Sequence, residues 1–402
     1  MGVRATLFPL LALPLLAACG GPGSIGVRVG EAAGRSYNPV QPLAAVAADE
    51  PRAVEAAARM LASGGSAMDA AAAGGFVLAV ALPDRAGLAG GGMCLVHDAN
   101  AKTVRTLDFL PRPGPQGAAV PMTAVGLSGL HGAGGRLRWA QVLAPAEALA
   151  RGDEPLSRAA AEGIARASRS LGRDPEFVRT FTSAGRPPVE GTRLPQPNLE
   201  ALLMQVRTQL AGGQVVAARV AQATDGPAPA RIAADWRDTV RLAAGDDELH
   251  LADVRLDPAA EARLRTAAAM PQADRARALA DALRAALPGD SSSWATIATL
   301  DGSENAVACA LTLGAPAGAG RMAPGTGLVL AVPAGAPPAI AVVMNAKLND
   351  TLFAGAAPGG GEGVGVTRVE CAVNPATSAK TCRPVAGTPD GFAAKPGEDV
   401  RR

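Results

Sequence analysis

Aromatic side chains make up only 3% of this chain, with a single tyrosine, so Ala, Val and Leu must supply its core. Histidine is as scarce. Only His97, His131 and His250 occur, and no Cys/His spacing suits zinc, so neither a metal site nor a resident cofactor is expected. A net charge of +2 leaves no basic stripe, and no nucleic-acid partner is expected. Long apolar runs are missing too. The one candidate, Leu7 to Leu16, is too short to span a bilayer comfortably.

That run has the layout of a secretory signal instead. Arg4 precedes it and small residues lead into Cys19. Leu16-Ala17-Ala18-Cys19 resembles the bacterial lipoprotein box, which leaves the Cys as a lipidated N-terminus. The expectation is a signal peptide over 1–18, a lipid anchor at Cys19, a Gly-rich tether over 19–41, and a body on the periplasmic side of the membrane. Plain secretion with an incidental Cys is the other reading. Such a compartment permits oxidation. Cys371 and Cys382 bracket a polar segment, for which a disulfide is preferred over two free thiols. Cys94 and Cys309 sit in apolar runs and read as buried small hydrophobes rather than nucleophiles.

Order begins at DEPRAVEAAARMLASGG, where Asp49 is placed to cap a helix and Pro51 fits its first turn. Ser66 and Asp69 form a capping box for a second helix, apolar all round and therefore buried. Met93–His97 and Val104–Phe109 read as a hairpin across a polar DANAK turn. Residues 136–219 read as helical, with a start signal at Pro145 among others, and 222–290 as Ala/Arg/Asp-rich with helical spacing. Strands are expected over Ala295–Leu300, Ala306–Leu313, Gly327–Val332, Ala339–Met344 and Asp350–Ala354, with frayed residues from about Thr388. Helices first and strands later imply stacked α and β layers.

No histidine stands out as a general base: His97 falls on a strand, His131 in a Gly-rich loop, and His250 between charged and apolar residues. A Ser-His-Asp triad cannot be assembled. A nucleophile that needs no histidine is an N-terminal Ser or Thr, whose own α-amine titrates near neutrality and serves as its base. GDSSSW before one strand and APGGG after another are the two parts such chemistry requires: a hydroxyl at a chain break, and freely turned peptides whose N–H groups hold the oxyanion.

The stretch EPRAVEAAARMLASGGSAMDAAAAGGFVLAVALPDRAGLAGGGMCLVHDANAKTVRTLDF closely resembles the opening of the gamma-glutamyltransferase (gamma-glutamyltranspeptidase, glutathione hydrolase) family. The likeness continues through GGRLRWAQVLAPAEALARGDEPLSR, DPEFVRTF, the QPNLEALL helix, NAVACALTLGAPAGAGRMAPGTGLVLA and APGGG, over roughly 43–215 and 290–361. The resemblance implies an α+β fold, a four-layer αββα N-terminal-nucleophile (Ntn) hydrolase sandwich, shortened here, made as a precursor that cleaves itself. It divides this chain into a large-subunit-like region over 42–290, a small-subunit-like region over 291–366 and a tail over 367–402. It implies attack on a gamma-glutamyl amide such as glutathione, with the two fragments remaining associated.

Carried over residue by residue, Ser292 falls on the family's nucleophile, with Ser291 or Ser293 in its place if the gap lies elsewhere; an ungapped match would put Trp294 there. Gly359-Gly360 matches the oxyanion-hole pair. Other positions depart from the pattern. Leu110 stands where an arginine grips the substrate carboxylate, with Arg112 two places on as the substitute candidate. Gly314 replaces an asparagine, VPAGAPPA replaces an acidic motif, and Pro338–Ile340 replaces a serine pair. The expectation is an enzyme of altered or weakened gamma-glutamyl recognition, acting on that or another small amide. The alternative is a non-catalytic binding or structural lipoprotein on the same fold.

Overall fold

The computed structural model describes residues 2, 43–114, 117–209, 212–227, 229, 231–252, 257–286, 294–335, 338–357, 365–374, 376–387 and 391–395. The chain divides at Val40, and every element below lies in the unit Gln41–Arg402. Strand β1 (Ala45–Ala48) runs into helix α1 (Pro51–Ala62). Pro51 holds the first helical position, so the cap falls on Glu50 rather than Asp49: Glu50 Oε2 accepts from the Ala53 amide at 3.0 Å. In α2 (Ala67–Ala81) the expected box is complete, with Ser66 and Asp69 satisfying each other's backbone amides. All of α2 is buried. β2 (Gly91–Asp98) and β3 (Thr103–Phe109) form the expected hairpin. Gly91 is required there, because a Cβ would lie 2.1 Å from the Phe109 carbonyl oxygen.

After the short pair β4 (Arg112–Pro113) and β5 (Ala119–Val120) comes α3 (Thr123–Gly134), which sequence periodicity did not reveal. Its four glycines dilute the helical signal. Next are α4 (Trp139–Arg151), α5 (Arg158–Leu171), α6 (Pro175–Phe181), α7 (Pro197–Thr208) and α8 (Gly212–Ala223). Pro145 lies inside α4 rather than at its start. The stretch read as helical over 222–290 is corrected by three strands, β6 (Asp235–Arg237), β7 (Val240–Ala244) and β8 (Asp247–Leu251). Gly245, at φ +71°, turns β7 into β8. Helices α9 (Pro258–Ala268) and α10 (Gln272–Ala286) follow.

The remaining strands are β9 (Trp294–Leu300), β10 (Ala306–Thr312), β11 (Met322–Ala323), β12 (Leu328–Val329), β13 (Ala339–Asn345) and β14 (Asp350–Ala357). The segment expected as a tail from residue 367 instead supplies β15 (Thr367–Val373), β16 (Lys380–Val385) and β17 (Phe392–Ala394). These strands are short and polar on one face, so they lack the apolar runs that mark strands locally.

The strands assemble into two main antiparallel sheets, β17-β1-β9-β10-β2-β3-β6 and β16-β15-β14-β13-β8-β7. Side-chain alternation then makes four layers. Leu78 and Phe76 of α2 pack with Ile297 and Leu311 on the outer face of the first sheet. Leu95, Ala298 and Leu300 face Ile340, Val342 and Val369 between the sheets. Ala341, Val343 and Phe353 face Leu264, Leu279 and Leu283 of the second helix layer. This is the αββα sandwich. Gly74 seats α2 on β9, since a Cβ there would lie 2.3 Å from the Ile297 Cδ1.

Both described cysteine pairs are cross-strand disulfides. Cys371 and Cys382 stand opposite each other on β15 and β16 and are bonded. Cys94 and Cys309 are buried as expected, but they too are bonded, across β2 and β10. The register brings their Cα atoms to 4.1 Å, which a sequence separation of 215 residues hides.

Candidate active site

Ser291, Ser292, Ser293, Gly359, Gly360 and Cys19 lie outside the described residues. Their flanks are well defined. Trp294, directly after the serines, opens β9, an interior strand of the first sheet. Across the ladder it faces Thr312, which faces Gly91 in turn, and Gly92 faces Phe109. The serine end of the first sheet therefore carries Trp294, Thr312, Gly91 and the start of the Phe109-Leu110 turn. Thr312 is fully buried and its Oγ1 accepts the Gly314 amide at 2.8 Å.

Beneath this edge lies a polar cluster that ties the sheets together. The Asp49 carboxylate is wholly buried and accepts the Thr296 amide at 2.8 Å, the Thr296 hydroxyl at 3.1 Å and the Thr367 hydroxyl at 3.2 Å. Thr296 and Thr367, on opposite sheets, are hydrogen-bonded to each other at 2.7 Å. Thr367 pairs in register with Ala356, and β14 ends at Ala357, just short of Gly359-Gly360. Burial raises the Asp49 carboxyl above its usual range, against the opposing pull of Arg85, Thr296 and Thr367. Burial likewise pushes neighbouring Glu50 up to about 7, outweighing the Ser157 hydroxyl and the Ala53 amide. No local sequence signal pointed to this cluster, because its members meet only across the sandwich.

Leu110 is half-buried and packs against the core between the sheets, so an aliphatic side chain occupies the place of the expected substrate-gripping arginine. Arg112, two residues on, lies in β4 and is exposed. Its guanidinium is bonded to Asp235 of the edge strand β6 at 2.5 Å, with β10, β2 and β3 between that strand and β9.

The histidines are structural. His97 is buried, with Nδ1 at 2.8 Å from the Thr351 hydroxyl and Nε2 at 3.1 Å from Asn349. His131 lies in the last turn of α3 rather than in a loop, and its Nδ1 meets Asp69 at 2.8 Å. His250 bonds Thr239 at 2.8 Å and Glu248 at 3.3 Å. Among the described residues, no helix is long and apolar enough to cross a membrane.

Comparison with known proteins places this architecture. The family model described as Gamma-glutamyltranspeptidase matches residues 53–113 and 109–214, a span that ends before the serine triplet. Glutathione hydrolase 7 of Bos taurus is 32% identical over 202 residues, covering 44% of this chain and 30% of that protein. Glutathione hydrolase proenzyme of Pseudomonas aeruginosa is 33% identical over 144 residues, covering 31% of this chain and 26% of that protein. The chain thus spans less than a third of the length of these curated relatives. In fold, it matches the crystal structure of cephalosporin acylase from Bacillus halodurans with a TM-score of 0.59, at 16% identity, over 81% of this chain and 80% of that one. Over residues 53–214 the chain is similar to the gamma-glutamyltranspeptidase family, and it shares the fold of the cephalosporin acylase.

Proposed function

We propose that this protein is a divergent Ntn amidohydrolase, a lipoprotein anchored at Cys19 on the periplasmic side, that cuts itself before Ser292. The freed α-amine takes the proton of the Ser292 hydroxyl as its Oγ attacks an amide carbonyl. The backbone N–H groups of Gly359 and Gly360 receive the oxyanion. Collapse releases the amine with that proton and leaves an acyl ester, which water or a second amine then resolves. Ser293 takes this role if the break falls one residue later. The substrate is a gamma-glutamyl amide of the glutathione type, or an amide with a related acyl group.

The observation that carries this reading is the junction of Thr296 with Thr367. Thr296 lies four residues beyond Ser292, and Ala356, the ladder partner of Thr367, lies three residues before Gly359. The two sequence features the chemistry needs are therefore tethered by short leads to one point. A second reading, a non-catalytic module, is favoured by Leu110 and by the engagement of Arg112 with Asp235.

The two readings part on a reducing gel. The first expects two fragments, the smaller beginning at Ser292, and loss of the cut in Ser292→Ala. A single uncleaved band from the purified protein supports the second and overturns the first. Turnover of a chromogenic gamma-glutamyl amide is expected to run about 10–100-fold below a relative that keeps the arginine, since one charge-assisted bond is worth roughly 1.5–3 kcal/mol.

A further inference from the structure

Between the first two turns of α10 and the β15–β16 hairpin lies a groove of about 660 Å³. Its floor holds Glu370, only 6% exposed. Arg368 Nε meets one Glu370 oxygen at 2.9 Å and Arg383 Nε meets the other. Arg368 Nη1 also donates to the Val366 carbonyl at 3.1 Å, which fixes that guanidinium further. These bonds consume the carboxylate and leave Arg368 Nη2 and both Nη atoms of Arg383 without a partner among the described residues. Arg277 and Lys395 line the same groove and form no ion pair or hydrogen bond with any described residue. Four cations thus line a groove whose one lining carboxylate is already neutralised by two of them.

A groove of this size is within the range of small-ligand sites. Guanidinium forks held by a buried acid are pre-organised to grip carboxylate or phosphate oxygens. We propose that the Arg277, Arg368, Arg383 and Lys395 groove binds a small polyanion, one that presents two or more carboxylate or phosphate groups to these cations. A monoanion would leave most of the donors unmet. The site does not depend on self-cleavage or on Ser292.

Isothermal titration of the full chain at low salt, with citrate, pyrophosphate and acetate, tests this. Saturable binding of citrate or pyrophosphate is expected with Kd below about 1 mM, and acetate is expected not to saturate. The tighter of the two names the ligand class, polycarboxylate or phosphate. The double variant Arg277→Gln/Lys395→Gln removes two exposed or half-buried charges and should fold normally by circular dichroism. It is expected to bind about tenfold or more weakly. Absence of saturation by both polyanions up to about 10 mM, or equal affinity in the folded double variant, overturns the proposal.

Discussion

The two ends of the sandwich are closed by opposite chemistry. At the serine end, Asp49 is held by a backbone amide and two threonine hydroxyls, and Glu50 is buried beside it. At the far end, Glu304 is paired with the Lys380 ammonium and accepts the Thr351 amide at 3.0 Å, while buried His97 bridges Thr351 and Asn349. Burial disfavours the charged form in both places, but the groups differ in sign. It raises the carboxyls of Asp49 and Glu50 and lowers the imidazolium of His97. Rising pH therefore weakens one end and falling pH the other, so their contributions oppose each other.

The largest break in that symmetry is expected from Glu50→Gln. The carboxyl titrates at about 7 in the folded chain and near 4.5 when unfolded, so the native state keeps a proton that unfolding releases. Its stabilising contribution is full below 4.5 and lost as pH rises to 7. Glutamine can still cap Ala53, so the variant should match the parent at pH 4.5 and exceed it by about 3 kcal/mol at pH 8 in urea unfolding. Equal pH profiles for the two proteins would sink this account. Thr296→Val is the next largest. It removes a hydroxyl from both Asp49 and Thr367 at constant volume, and should cost about 2 kcal/mol at neutral pH by the same measurement. The smallest effect is His97→Gln. Native His97 resists protonation that the unfolded chain accepts near 6.5, so stability is lost as pH falls through that window. Thermal melts of the variant at pH 7.5 and pH 5 should differ less than those of the parent.

Much of the framework was legible because its signals are local. The Ser66–Asp69 box, the DANAK hairpin and the strands after the serines each sit within a few residues of their cause. The two clearest failures had different causes. Asp49 looked like a helix cap, yet its partner Thr367 is 318 residues away, and Pro51 shifts the cap to Glu50. The strands at 240–251 are too short and too charged to outweigh the Ala/Arg-rich helical pattern around them. At the site, Leu110 could be placed from sequence, but the pairing of Arg112 with Asp235 depends on β6 forming the sheet edge.

Cys94 precedes the serine triplet in the chain and Cys309 follows it. A cut at Ser292 would therefore nick the polypeptide without dividing the molecule. Reassembly of the nicked protein would stay unimolecular, with a melting point indifferent to dilution for as long as that bond is oxidised. Reductant would turn the same molecule into two chains whose stability depends on concentration.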